Sequence, residues 1–163
     1  MVVSAVPGLE TTGGRIPSPR EGFLAPDFSL ELLDGGTLTL SDLRGETVLV
    51  NLWATWCPPC RAEMPAIQEV FEANKDRGFE VVAVNMTFQD REAEVAAFVE
   101  QLGLSFPVAL DRSGEVARLY LMRALPTTFF IDREGDIHKV IVGGPMSEIT
   151  LRTTVEDLLG NAE

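Results

Sequence analysis

The feature that most constrains the fold is a continuous apolar run, residues 47–53 (TVLVNLW), that leads through three residues into the motif Cys-Pro-Pro-Cys at residues 57–60. A run of this kind is typical of a central strand buried on both faces. From Cys60 to Phe71, apolar side chains recur with the spacing of one helix face. The order therefore predicts a strand, a short loop and a helix that begins close to Cys57 and ends near Gly78.

Further strands and helices alternate along the rest of the chain. An Asp-Gly-Gly turn within residues 25–44 predicts a short N-terminal β-hairpin. Predicted strands cover residues 80–85, 108–110, 127–132 and 137–142. Two predicted helices carry apolar positions within residues 95–102 and 116–120, and a last helix begins at about residue 147. This order indicates an α/β fold in which helices flank both faces of a mixed central sheet, with the hairpin added at the N-terminus.

The length of 163 residues suits about one domain. Residues 1–22 are rich in Gly, Pro, Ser and Thr and lack a hydrophobic period, which predicts a flexible lead-in before a domain over residues 23–163. We recognise no signal peptide, because the apolar run at residues 1–6 is short and no basic residue precedes it. A cytoplasmic protein and an export segment outside this sequence both remain open.

The charge excludes several classes of partner. Lys and Arg number 13 against 25 Asp and Glu, a net charge of −12. Nucleic acids and anionic lipid surfaces attract clustered cations, so neither is an expected partner. No apolar stretch approaches the roughly 20 residues that span a bilayer.

The sulfur chemistry is concentrated at one point, since Cys57 and Cys60 are the two cysteines of the chain. A structural zinc site normally needs four ligands, and His138, the sole histidine, falls on a predicted exposed strand face. The acidic residues show no clustering that predicts a calcium or magnesium site. Redox chemistry is favoured. A helix N-terminus should lower the pKa of Cys57 from about 8.5 to roughly 7, and Cys60 lies one turn further along.

Six stretches, in this order, resemble the thioredoxin superfamily and within it the TlpA/ResA-like thiol-disulfide oxidoreductases: APDFSL, LRGETVLVNLWATWCPPCRAEMP, VVAVN, FPVALD, LPTTFFID and the Gly-Gly pair at 143–144. The resemblance runs from residue 25 to the C-terminus. It implies that Cys57 attacks the substrate disulfide and that Cys60 resolves the mixed disulfide. It implies no cofactor and no resident metal.

The same resemblance implies which residues contact substrate. Pro126 matches the cis-proline of a loop that faces the dithiol, where backbone pairs with the substrate chain, and Leu125 and Thr127 flank it. Trp56 matches the aromatic residue beside the attacking sulfur. Pro65 matches a proline that kinks the helix.

The proton acceptor for Cys60 departs from the family pattern. Asn51 stands where thioredoxin has a buried aspartate on the central strand, and an amide cannot take the proton. Relatives are expected to place a glutamate after the second buried strand, but Phe88 stands near that position here. Glu92 and Glu94 are the nearby carboxylates, and solvent exposure at the start of a helix is the stronger expectation for both.

The leading functional hypothesis is the reduction of protein disulfides. The resemblance implies that this takes place outside the cytoplasm, often in a tethered protein, in support of cytochrome c maturation. Apocytochrome c would then be a substrate, and a membrane thiol reductant would donate electrons. Two alternatives stay open. One is a peroxiredoxin-like peroxide reductase, although Val50 and Ala54 stand where that motif has proline and threonine. The other is a Sco-like copper-binding assembly protein using both thiols and His138.

Overall fold

The computed structural model describes residues 15–161. Its strands are β1 (Ser29–Glu31), β2 (Thr37–Thr39), β3 (Thr47–Trp53), β4 (Phe79–Asn85), β5 (Val108–Leu110), β6 (Thr127–Ile131) and β7 (Ile137–Val142). Its α-helices are α1 (Pro58–Asn74), α2 (Glu92–Leu102), α3 (Glu115–Leu119) and α4 (Glu148–Asn161). The part of the predicted lead-in before residue 15 lies outside the described residues.

Strand β3 is the centre of a five-stranded sheet of order β5-β4-β3-β6-β7. It runs parallel to β4 and antiparallel to β6, and β7 pairs antiparallel with β6. All seven residues of β3 are buried. The prediction of a mixed sheet with a central strand covered on both faces is confirmed, as is the N-terminal hairpin of β1 and β2.

Side chains of β3 alternate between two apolar layers because successive residues of a strand point to opposite faces. Leu49 and Trp53 pack in one layer with apolar residues of α1, α2 and α4. Val50 and Leu52 pack in the other with residues of α3 and of the N-terminal hairpin. The layer containing Leu49 and Trp53 also contains the two cysteines.

The N-terminal segment reaches both edges of the sheet. The amide of Leu33 donates to the carbonyl of Val108 at one edge (2.8 Å). At the other edge, the amide of Gly22 donates to the carbonyl of Ile137 (2.8 Å). Arg15 forms an ion pair with Asp136 beside that second edge. The division into a lead-in and a domain at residue 22 stays a prediction.

The helix after the cysteines ends close to where the sequence places its end. Helix α1 stops at Asn74, a 3-10 turn covers Lys75–Arg77, and Gly78 follows in the left-handed region at φ 79°. Pro65 lies inside α1, which continues across it. Over the described part of the chain, no helix has both the length and the apolar character that membrane crossing requires.

Candidate active site

The two cysteines form a disulfide at the N-terminus of α1. Cys57 is the N-cap residue, Pro58 is the first residue of the helix, and the Cys57 Sγ accepts a hydrogen bond from the Cys60 amide (3.3 Å). The two Cα atoms are 5.3 Å apart, within the usual range for a disulfide. A sulfur here faces the unpaired amides and the positive end of the helix dipole, which stabilise a thiolate.

The attacking sulfur is less accessible than the sequence indicated. Cys57 is 3% exposed and Cys60 fully buried. Trp56, 55% exposed, and the exposed Pro58 lie on either side of Cys57 in the chain. Both cysteines lie in the apolar layer that also contains Leu49 and Trp53 of β3.

The predicted cis-proline loop lies at the same end of the sheet as the disulfide. The Leu125–Pro126 bond is cis, and Thr127 pairs with Leu52 near the end of β3 that leads into the motif. The loop after β7 supports Pro126 closely: the Gly143 amide donates to the Pro126 carbonyl (2.7 Å). A Cβ on Gly144 would stand 2.8 Å from Pro126 Cγ, so this contact admits only glycine.

The residues on either side of Pro126 are largely covered. Leu125 is half-buried and contacts both apolar layers. Thr127 is buried, and its hydroxyl donates to the Ala124 carbonyl (2.6 Å). Substrate contact at these predicted residues would therefore involve backbone more than side chains, which fits strand-like pairing.

Trp56 is fixed to the loop that follows β4. Its Nε1 donates to the carbonyl of Gln89 (2.9 Å). The next residue, Asp90, accepts hydrogen bonds from the amide and hydroxyl of Thr55 (2.7 and 2.6 Å). It also accepts from the Asn85 side chain (2.9 Å) and the Arg91 amide (2.8 Å). Partial burial alone would raise the pKa of Asp90, but these four donors together hold it below its ordinary value.

A buried carboxyl group beneath the disulfide was missed by the sequence reasoning. Glu63 follows Cys60 by one helical turn and is buried. It accepts hydrogen bonds from Asn51 Nδ2 (3.2 Å) and from the Met146 amide (2.9 Å). Asn51 Nδ2 also donates to Thr128 Oγ1 (3.0 Å). Burial raises the pKa of Glu63, and the two hydrogen bonds only partly oppose that shift.

The carboxylates considered from the sequence face solvent instead. Glu92 is exposed and forms an ion pair with Arg112 (2.8 Å), and Glu94 is exposed. Phe88, at the position expected for a glutamate, is an exposed aromatic residue. The buried carboxyl group near the cysteines, Glu63, lies on α1 rather than after β4. The missed signal is that Glu63 shares a helix face with the apolar residues Ile67 and Val70.

The structure bears on the two alternative hypotheses. His138 is exposed on β7, directly after Ile137. Ile137 pairs with Ile131 of β6, and Ile131 pairs with Val48 near the start of β3. At about 3.3 Å per residue, His138 is at least about 13 Å from the end that carries the thiols, too far for shared copper ligation. Val50 and Ala54 are both buried and offer no hydroxyl to activate a peroxide.

Three carboxylates do converge in the turn between β6 and β7, although the sequence reading expected no such cluster. Asp132, Glu134 and Asp136 have oxygen atoms within 4.8 Å of one another. Asp132 Oδ1 accepts from the amides of Glu134 and Asp136 (both 3.0 Å), and Arg15 pairs with Asp136. These contacts are those of a polar turn.

Comparison with known proteins agrees with the geometry. The model of the AhpC/TSA family matches residues 22–140. Thiol-disulfide oxidoreductase ResA of Oceanobacillus iheyensis is 44% identical over 128 residues, covering 76% of this chain and 66% of that protein. ResA of Geobacillus kaustophilus is 43% identical over 122 residues, covering 75% of this chain and 69% of that protein.

Among solved structures, a Chlorobium tepidum protein described as a thiol:disulfide interchange protein DsbE superposes with a TM-score of 0.80. It is 36% identical, and the match covers 86% of this chain and 99% of that one. Both the fold and the class of redox activity follow from these relatives. The chain belongs to the AhpC/TSA family of thioredoxin-fold proteins, among the thiol-disulfide oxidoreductases of the ResA type.

Proposed function

We propose that this protein reduces disulfide bonds in protein substrates through Cys57 and Cys60. The Cys57 thiolate attacks one sulfur of the substrate disulfide and expels the other as a thiolate, which takes up a proton. Cys60 then loses its proton and attacks Cys57, which releases the second substrate thiol and leaves the Cys57–Cys60 disulfide. Two electrons pass from the dithiol to the substrate. The observation that carries this proposal is the Cys57–Cys60 bridge at the N-terminus of α1, at the same end of the sheet as the cis-Pro126 loop.

Glu63 is the proton acceptor that we assign to the second step. Its carboxyl group lies one turn from Cys60 on α1, within the protein interior, where bulk water does not reach the resolving thiol. A carboxylate with a raised pKa holds a proton better than an ordinary one, which suits it to deprotonate Cys60 and to return the proton when the disulfide is reduced. The donors Asn51 and Met146 fix its position.

The cellular setting follows from the family resemblance. We propose that the protein works outside the cytoplasm and that, in a tethered form, it serves cytochrome c maturation by keeping the haem-attachment cysteines of apocytochrome c reduced. A membrane protein carrying a dithiol would restore the Cys57–Cys60 dithiol by accepting its disulfide, with no net change in the number of disulfides.

The first experiment follows reduction of the insulin disulfides by the pre-reduced protein. We expect Cys57→Ser to abolish the reaction. Cys60→Ser, its matched control, keeps the attacking thiol and should accumulate a mixed disulfide with the substrate, visible as a higher-mass species that dithiothreitol removes. Full activity of Cys57→Ser would show that another group is the nucleophile.

The second experiment is a redox titration of the dithiol against glutathione. A reductase should have a midpoint near that of thioredoxin, about −270 mV, whereas a value near −120 mV would mark a strong oxidant and overturn the direction that we propose.

A further inference from the structure

A groove of about 860 Å³ opens on the face of the sheet that carries α3. Its floor includes Thr127 and Phe129 of β6, and its walls come from the loop after β4, from α3 with the turn that follows it, and from the N-terminal segment. It is far larger than the gaps of a packed protein interior.

The groove lies on the opposite face of the sheet from the apolar layer that contains the two cysteines, but it extends to the end of the sheet at which the disulfide lies. Thr127, which lines it, directly follows the cis-proline. Gln89, which also lines it, holds the indole of Trp56 through its carbonyl oxygen. A polypeptide joined to Cys57 as a mixed disulfide would enter this groove by crossing the end of the sheet at which Gln89 and Thr127 lie.

Positive charge is concentrated in the groove. Arg20, Arg118 and Arg123 line it and are exposed, and no Asp or Glu is among its lining residues. Within residues 15–161, none of the three guanidinium groups pairs with a carboxylate. In a chain of net charge −12, three such arginines in one groove create a local potential opposite to that of the whole protein.

The groove also exposes large apolar side chains. Phe88, Leu121 and Val142 are 40%, 62% and 54% exposed. Leu121 adopts φ 52°, a left-handed conformation that is unfavourable for a residue with a Cβ. Core packing does not account for this conformation at an exposed leucine, whereas contact with a bound polypeptide would.

We propose that this groove docks a segment of the substrate protein that combines acidic and apolar residues next to the reactive cysteine. The carboxylates of the segment pair with Arg20, Arg118 and Arg123, and its apolar side chains cover Phe88, Leu121 and Val142. The inference rests on the proposed reductase function and assigns it a substrate preference.

The test uses synthetic peptides with one cysteine held in a mixed disulfide with mercaptoethanol. Three peptides are compared: leucine flanks the cysteine in all of them, and the other flanking residues are glutamate, glutamine or lysine. Pre-reduced protein converts each peptide to its free thiol plus mercaptoethanol and becomes the disulfide form. The measured quantity is the second-order rate constant, divided for each variant by its rate with neutral hydroxyethyl disulfide.

We expect the glutamate peptide to react about tenfold faster than the lysine peptide at low salt, with the advantage shrinking at high salt. The net charge of the protein favours the opposite order, so this result isolates the groove. The double variant Arg118→Gln/Arg123→Gln should bring the two peptides within about twofold. Arg152→Gln on α4, at the opposite face of the sheet, should keep the tenfold preference.

Leu121→Asn tests the apolar half separately, since asparagine tolerates the left-handed conformation. It should preserve folding and lower the rate with the glutamate peptide about threefold. With a peptide that has alanine in place of leucine, the Leu121→Asn substitution should cause no further loss of rate.

Three results would each overturn the docking proposal. The lysine peptide could react faster than the glutamate peptide, or the preference for glutamate could be unchanged in the arginine double variant. The third is that inorganic phosphate inhibits the reactions of both peptides equally. Failure to reduce hydroxyethyl disulfide at all would instead overturn the proposed reductase function.

Discussion

Two carboxylates, one on each of two segments near the active-site motif, show how hydrogen bonding decides the state of a covered acid. Glu63, one helical turn after Cys60, is buried with two donors, and its pKa is raised. Asp90, which binds Thr55 before the motif, is half-buried with four donors, and its pKa is lowered. Burial acts in the same direction on both, so the number of donors and the depth of burial set the difference.

This contrast separates two roles. A carboxylate held by four donors stays ionised and ties three segments together: the start of the active-site loop, the end of β4 and the entry to α2. A carboxyl group with fewer donors can gain and lose a proton as the cysteines react. The first therefore contributes mainly to stability, and the second mainly to chemistry.

Replacement of Asp90 by alanine should produce the largest effect. The variant leaves the Thr55 and Asn85 donors without their acceptor, and we expect the free energy of unfolding to fall by about 3 kcal/mol. Urea unfolding of the oxidised protein measures it. Glu94→Ala, a solvent-exposed carboxylate in the same region, should change stability by less than about 0.5 kcal/mol. Equal losses of unfolding free energy in both variants would contradict the proposal that Asp90 holds the three segments together.

Replacement of Glu63 by glutamine should slow the Cys60 step. The amide cannot accept the thiol proton, and we expect release of substrate from the mixed disulfide to slow about a hundredfold at pH 7. Stopped-flow measurement of a preformed mixed disulfide isolates this step. The loss should shrink at alkaline pH, where Cys60 ionises without help. A pH-independent loss would assign Glu63 a purely structural role.

The two carboxylates should give stability profiles of opposite slope, a smaller effect than either substitution above. The contribution of Glu63 is fully present below its ordinary pKa of 4.5 and is lost as pH rises through its higher folded pKa. The contribution of Asp90 is present above its ordinary pKa of 3.8 and is lost as pH falls through its lower folded pKa. Urea unfolding between pH 3 and 8, with Glu63→Gln and Asp90→Asn as references, measures both slopes. Slopes of the same sign would show that the direction of the pKa shift is wrong for one of the two carboxylates.

Much of the fold could be predicted because its signals are local. The apolar run of β3 identifies the central strand, and the repeat after Cys60 identifies α1. The motif and Pro126 are recognisable as short segments, and the cis bond follows the family pattern. Strand boundaries shift by at most one residue, as at Phe79, which begins β4 one residue before the predicted strand.

The features of the site that the sequence did not reveal depend on contacts between distant segments. Asp90 meets Thr55 across 35 positions, and Met146 reaches Glu63 across 83. A helical period shows which face of α1 points inward but not what that face meets, so Glu63 passed as an ordinary polar residue. The burial of Cys57 likewise depends on the packing of the whole apolar layer in which both cysteines lie.

The hydrogen bonds from Leu33 to Val108 and from Gly22 to Ile137 have a further consequence. A sheet with outermost strands left bare offers unpaired backbone groups to other chains, and a catalyst that handles partly unfolded proteins meets many such chains. Here the stretch before β3 donates backbone hydrogen bonds to the first residue of each outermost strand, Val108 of β5 and Ile137 of β7. These contacts leave fewer unpaired backbone groups at the two margins with which another chain could pair.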